Sequence, residues 1–212
     1  MLSLETFAYH REVPDAIDDR PYHHGNLRTA LLDAAERGLR EHGADKLSLR
    51  DLAREIGVSH AAPRRHFPDR QALLDALAEA GFARLDRTLR TALADADDDF
   101  PARVRAGMTA YTRFATENPA LLELMYTSKH RPDATRIVKA AEAPFGLMIG
   151  LIQQGQEQGE LATGDPDRIG IVLFAMLQGI ASIINGNLVP AELLDGLVDL
   201  AVDQFLRANR PG

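Results

Sequence analysis

An all-α protein is predicted, with a small three-helix domain preceding a larger helical bundle. Apolar residues recur at three- and four-residue spacing through most of the chain, and no segment alternates with period two for long enough to form a strand. Start and stop residues also punctuate the periodic stretches where helices need them. The expected division is an extension over 1–20, a small helical domain over 21–70, and a larger helical domain over 71–212.

Residues 1–20 show no sustained period and hold Pro14 with the acidic cluster Asp15, Asp18 and Asp19, so a loosely attached extension is expected. From Asn26 the pattern is helical: Leu27, Leu31, Ala34, Ala35 and Leu39 share a face, and Gly43 ends it. A short helix is predicted over Leu49–Ile56, capped by Ser48 with Asp51 three residues on, and closed by Gly57. Ser59 is placed to cap a second short helix, within which Pro63 should be tolerated in the first turn. A longer helix follows from Asp69 or Arg70, and Asp95–Asp99 reads as a solvated loop.

Residues 101–117 should be helical, and Asn118-Pro119 opens the next helix. The stretch 133–158 should be kinked or split at Pro144. Asp165-Pro166 starts an apolar helix over 166–186. Its uncharged run, Ile169–Ile184, is shorter than the ~20 residues a bilayer requires and contains Gln178, so a buried helix is expected. Pro190 opens a last amphipathic helix carrying Leu193, Leu197, Leu200, Ala201, Gln204 and Phe205.

With 212 residues, 45% of them hydrophobic, the chain can bury a substantial core. It has no cysteine, which excludes disulfides, thiol catalysis and thiolate metal sites. The first twenty residues mix charges with no apolar signal segment, and the expected location is the cytoplasm. The net charge of −7 is unevenly spread. Residues 21–75 carry nine basic and eight acidic side chains, while 1–20 carry two against five and 76–212 carry thirteen against eighteen. Five of the seven histidines also lie in 21–75. That stretch can turn a basic face to phosphate while the remainder repels it.

The functional constellation is Leu49–Phe67, LRDLAREIGVSHAAPRRHF. Two short helices that cross closely need a small residue at the crossing, which Ala53 supplies. Gly57 allows a left-handed turn four residues later, and Leu52, Ile56 and Val58 seal the joint. Spacing alone fits either a helix-turn-helix or an ordinary helical hairpin. The block HGNLRTALLDAA, followed by LSLRDLAREIGVSHAAPRRHFPDRQALLDALA, resembles the DNA-binding domain of the TetR/AcrR family of regulators. The later QQGQEQGELATGDPDRIGIVLFAMLQGIASI is similar to a C-terminal domain of that family called after a Trp-His-Gly signature. Phe174 stands at the Trp position and Gln178 at the His, with Gly179 kept.

The resemblance implies a dimeric DNA-binding regulator, more often a repressor than an activator, released from a two-fold operator by a small molecule. It implies that Ser48, Arg70 and His66 meet the phosphate backbone. His60, Ala61, Arg64 and Arg65 are candidate base readers, beside the capping Ser59, with the Ala61 methyl suited to thymine. Relatives usually carry Tyr at Arg64, so this chain exchanges an aromatic plane for a guanidinium. Phe67 should pack between helices. In the second domain Phe82, Met108, Tyr111, Phe114, Met125, Tyr126, Phe145, Met148, Phe174 and Gln178 are candidates to line an effector cavity, with core packing as the alternative.

Gln178 and Asn185 interrupt an apolar helix and require partners: a ligand, a neighbouring helix or a second subunit. The last two helices are expected to form an isologous four-helix interface. No metal site or cofactor is expected, since neither His23/His24 nor His60/His66 has ligand spacing. Neither a catalytic triad nor a phosphate loop stands out, which leaves an all-helical enzyme or a protein-binding adaptor as weaker alternatives.

Overall fold

The computed structural model describes residues 24–212, with side chains from Leu27 onward. The expected extension over 1–20 and His23 lie outside the described residues, as does the side chain of His24. Among the described residues eight α-helices follow in order: α1 His24–His42, α2 Leu49–Glu55, α3 Arg70–Asp95, α4 Phe100–Glu117, α5 Pro119–Lys129, α6 Thr135–Glu157, α7 Pro166–Asn185 and α8 Leu194–Ala208. No strand occurs among them.

The predicted apolar face of α1 is buried, and Leu31, Ala34 and Ala35 are fully covered. It meets Leu47, Leu52 and Phe67, then the first turns of α3. Ser48 caps α2, accepting from the Asp51 N–H at 3.1 Å while its hydroxyl donates to the Asp51 carboxylate at 2.6 Å. That bond, ahead of Arg54 and Arg50 nearby, holds the Asp51 carboxyl below the ordinary carboxylate range. α2 ends in a Schellman turn: Val58 N–H reaches the Ala53 carbonyl and Gly57 N–H the Arg54 carbonyl. Gly57 has φ 72°, a left-handed conformation that a Cβ would strain.

α3 belongs to both parts of the molecule. Asp69 caps it through the Ala72 N–H at 2.8 Å. Its first turns pack on α1, and its later turns, through Phe82, Leu85 and Leu89, enter the bundle. Ion pairs brace the junction: Arg84 to Glu36 at 2.8 Å, and Arg136 to Glu79 at 2.8 Å. Arg131 also pairs with Asp75.

α6 runs unbroken through Pro144, so of the two expected alternatives, a kink or a split, the split does not occur. Proline removes one backbone bond, to the Ala140 carbonyl, and packing of α6 on α3 and α7 holds the rest of the ladder. α7 is not a buried helix within one chain. Leu173, Leu177, Ala181 and Ile184 face inward, but Ile171 and Val172 are 68% and 61% exposed. With twenty residues it is also long and apolar enough to cross a membrane, the one such helix among the described residues. α8 is likewise apolar on both sides: Val198, Ala201, Val202 and Phe205 are buried, while Leu200 and the preceding Leu193 face out.

Candidate DNA interface and effector cavity

Between Ser59 and Phe67 the expected second short helix is a series of tight turns, with one 3-10 turn over Pro63–Arg65. Ala62 N–H bonds back to the Ser59 carbonyl at 3.0 Å, Arg65 N–H to Ala62 at 3.2 Å, and both His66 and Phe67 N–H to Pro63. Pro63 has no N–H to bond the Ser59 carbonyl, so Ala62 takes that acceptor with i→i+3 geometry. Ser59 is therefore not a side-chain cap. Ala62 holds the cap position, with no side-chain bond, and Ser59 contributes its carbonyl.

Ser59, His60, Ala61, Arg64 and Arg65 are all exposed on this segment, and His66 is half-buried. Among the described residues no acidic side chain pairs with Arg64 or Arg65. Pro63 and Phe67 face inward and anchor the turn, with the Arg28 guanidinium 5.5 Å from the Phe67 ring centre. Arg70 is placed differently from the other candidates. Its Nε donates to the Leu47 carbonyl at 3.0 Å and its Nη2 to the Ala44 carbonyl, tying the loop before α2 to the start of α3. Two of the guanidinium's nitrogens are thus engaged with the protein's own backbone, and the side chain stays partly exposed.

In the bundle, α3, α4, α6 and α7 line a partly open cavity of about 60 Å³. Four of the expected residues line it: Tyr111, Phe145, Met148 and Phe174. Tyr126 and Gln178 lie just behind. Phe174 meets Tyr111, Tyr126 and Phe145 edge-to-face, with ring centres 5.7 to 5.8 Å apart. The Tyr111 hydroxyl donates to Gln178 Oε1 at 2.7 Å and lies 3.0 Å from the Tyr126 hydroxyl. Burial, then the Tyr126 hydroxyl, pushes the Tyr111 phenol well above its ordinary range, and burial raises Tyr126 as well.

The other four candidates do not line the cavity. Phe82 and Met108 are core residues; Met125 covers Gly81; and Phe114 lies beneath the Arg84 guanidinium. Sequence reasoning missed the aliphatic lining, Leu85, Leu89, Ile149, Ile152, Leu173 and Leu177. Their i, i+3 and i+4 spacing marks an inward face but does not separate cavity wall from solid core. Gln178 and Asn185 both bond α4, since the Asn185 amide donates to the Ala115 carbonyl at 3.2 Å.

Comparison with known proteins gives two family-model matches. Residues 31–77 match the model for bacterial regulatory proteins of the tetR family. Residues 104–205 match a tetracyclin repressor-like C-terminal domain. A protein of unknown function from Rhodococcus sp. RHA1, of known structure, is 46% identical, with TM-score 0.84 over 90% of this chain and 99% of that one. The HTH-type transcriptional regulator BetI of Rhizobium meliloti is 26% identical over 87% of this chain and 92% of its own length. The nucleoid occlusion factor SlmA of Marinomonas sp. is 24% identical over 72% and 79%. The fold is shared with the TetR family transcriptional regulator PfmR of Thermus thermophilus, at TM-score 0.67 and 22% identity over 84% and 97%.

Proposed function

Because the chain belongs to the tetR family of bacterial regulatory proteins, we propose that it works as a dimeric, cytoplasmic repressor that holds a two-fold operator and is released by a small molecule. Arg64 and Arg65 are the base readers, assisted by His60 and the Ala61 methyl, while His66 and the Ser48 hydroxyl meet phosphate. Arg70 serves by positioning: it locks the loop before α2 against α3 and so sets the angle of the reading turn.

The dimer forms through the outer faces of α7 and α8. One chain leaves Ile171, Val172, Leu193 and Leu200 in water, an apolar surface of the kind that marks an interface. A second copy of the same two helices covers it as an isologous bundle. This reading also favours a soluble α7 over a spanning one.

The observation that carries the effector response is the continuity of α3. It begins three residues after Phe67, and Leu85 and Leu89, about 22 and 28 Å along at 1.5 Å per residue, line the cavity. A ligand that fills the cavity moves this rod and changes the spacing of two reading turns that must enter grooves ~34–36 Å apart. It releases DNA only if it prefers the non-DNA conformation, and operator must then weaken ligand binding by the same factor.

Selection of bound duplexes from a random library tests the assignment. A two-fold site whose half-sites lie one or more helical turns apart is expected, and Arg64→Ala should lose preference for it. Enrichment of no sequence would remove the proposal.

A further inference from the structure

The cavity wall narrows the chemistry of its ligand. Its lining side chains include no charged group, and the one hydroxyl, that of Tyr111, is already committed to Gln178 and Tyr126. A charged ligand would have no counter-charge there, and an unpaired charge in such a site is costly. Three rings, Tyr111, Phe145 and Phe174, form part of the wall and offer edges and faces to another ring. Lys129 holds its ammonium 4.9 Å from the Phe145 ring centre, outside the lining set.

Volume adds a second constraint. The cavity is about 60 Å³, whereas a dry cavity that admits benzene measures about 150 Å³. A ring enters only if a wall side chain yields. Met148 packs against the bare backbone of Gly107: a Cβ there would stand 3.3 Å from its Sδ and 3.4 Å from its Cε. Ile149 packs in the same way over Gly170 but is β-branched and stiff, whereas the methionine side chain adapts. Met148 also lies four residues after Pro144, where α6 lacks one backbone bond.

We propose that the effector is a small, uncharged, apolar ring compound and that Met148 is the side chain displaced to admit it, an inference resting on the bundle's role as effector domain. Displacement of Met148 moves α6, on which α3 packs more extensively than on any other helix. The wall that selects the ligand is therefore also the contact that transmits it.

Calorimetry on the full-length protein with toluene, naphthalene, benzoate, benzylammonium and tetramethylammonium tests this. Toluene should bind, and each charged probe should bind about tenfold or more weakly. Met148→Ala should favour naphthalene over toluene by about tenfold relative to wild type. Leu89→Phe, which fills the space from α3, should abolish toluene binding without lowering the melting temperature. Charged probes binding as well as toluene would overturn the inference, as would toluene binding undiminished in Leu89→Phe or no binding of any neutral ring. Operator affinity measured on the same preparations separates the two levels. Intact operator binding with no ring bound sinks this inference alone, and a ring that binds equally with and without operator sinks the effector reading.

Discussion

Along His60–His66 the proposed reading side chains stand exposed on a turn held by four backbone bonds. Around the cavity the lining residues come from four packed helices, and the polar atoms are paired with each other. The reading turn tolerates a broken helix because its hydrogen-bonding groups can reach water or phosphate. The bundle keeps its helices continuous even through Pro144, and the specificity proposed for it resides in the shape of a void. A side chain removed from the first should change binding and spare stability; one removed from the second should usually change both.

The sharpest version of that contrast lies within one helix. Phe205 is 3% exposed and Leu200 is 58% exposed, five residues apart on α8. Phe205→Asp buries an unpaired charge in a core site and should cost about 4 kcal/mol or more, so denaturant unfolding should show loss of the folded state. Leu200→Asp should leave each chain folded and dissociate the dimer, which sedimentation at micromolar concentration would detect. If Leu200→Asp unfolds the chain and leaves any folded protein dimeric, the interface has been put on the wrong face.

Arg64 and Arg70 give the next contrast, across six residues. Arg64→Ala should cost ~1–3 kcal/mol on the selected operator and almost nothing in stability. Arg70→Ala strips a donor from the Leu47 and Ala44 carbonyls and should cost about 1–2 kcal/mol of stability. Its salt dependence of DNA binding should stay unchanged, whereas a true phosphate contact would reduce the slope by roughly one unit. Fluorescence anisotropy across a salt series distinguishes the two.

Tyr111 is the cavity's own probe. Tyr111→Phe leaves the Gln178 carbonyl without its donor and should cost about 1–2 kcal/mol. The phenol's pKa is raised in the folded chain above the unfolded value of about 10. Its contribution is therefore fully present below pH ~10 and is lost as pH rises from there, because the unfolded chain ionises first. The alkaline fall in melting temperature should be shallower in the variant, and an identical fall would show that the phenol does not titrate as its burial requires.

The sequence was most informative where one residue type has one mechanical job. Ser48, Gly57, Asp69 and Asp165 mark their helix ends because a cap or a left-handed turn admits few alternatives. It was least informative where many residues satisfy the same constraint. Phe82 and Phe174 are both aromatic and inward, yet one is solid core and the other cavity wall, since a void is a property of packing among four helices. The outer face of α7 was misread for a related reason: an apolar stripe has the same sequence whether its own chain or a second copy covers it. At Arg70 neither charge nor spacing reveals that two carbonyls lie within its reach.

Pro63 offers the smallest and most discriminating change. Pro63→Ala restores an N–H that can donate to the Ser59 carbonyl, which would extend the turn toward an ordinary helix and contribute ~0.5–1.5 kcal/mol. Against that, the unfolded chain gains freedom worth about 0.4–1 kcal/mol. The two nearly cancel, so stability should shift by less than about 1 kcal/mol in either direction. The geometry should not cancel, because a longer helix rotates Arg64 and Arg65 about its axis relative to the anchor at Phe67. Operator preference should therefore change while the melting temperature does not. Amide exchange supplies the structural check: protection of the alanine N–H introduced by Pro63→Ala would report the restored bond. If that amide is protected and operator preference is unaltered, the proline-set geometry of the turn has no part in reading DNA.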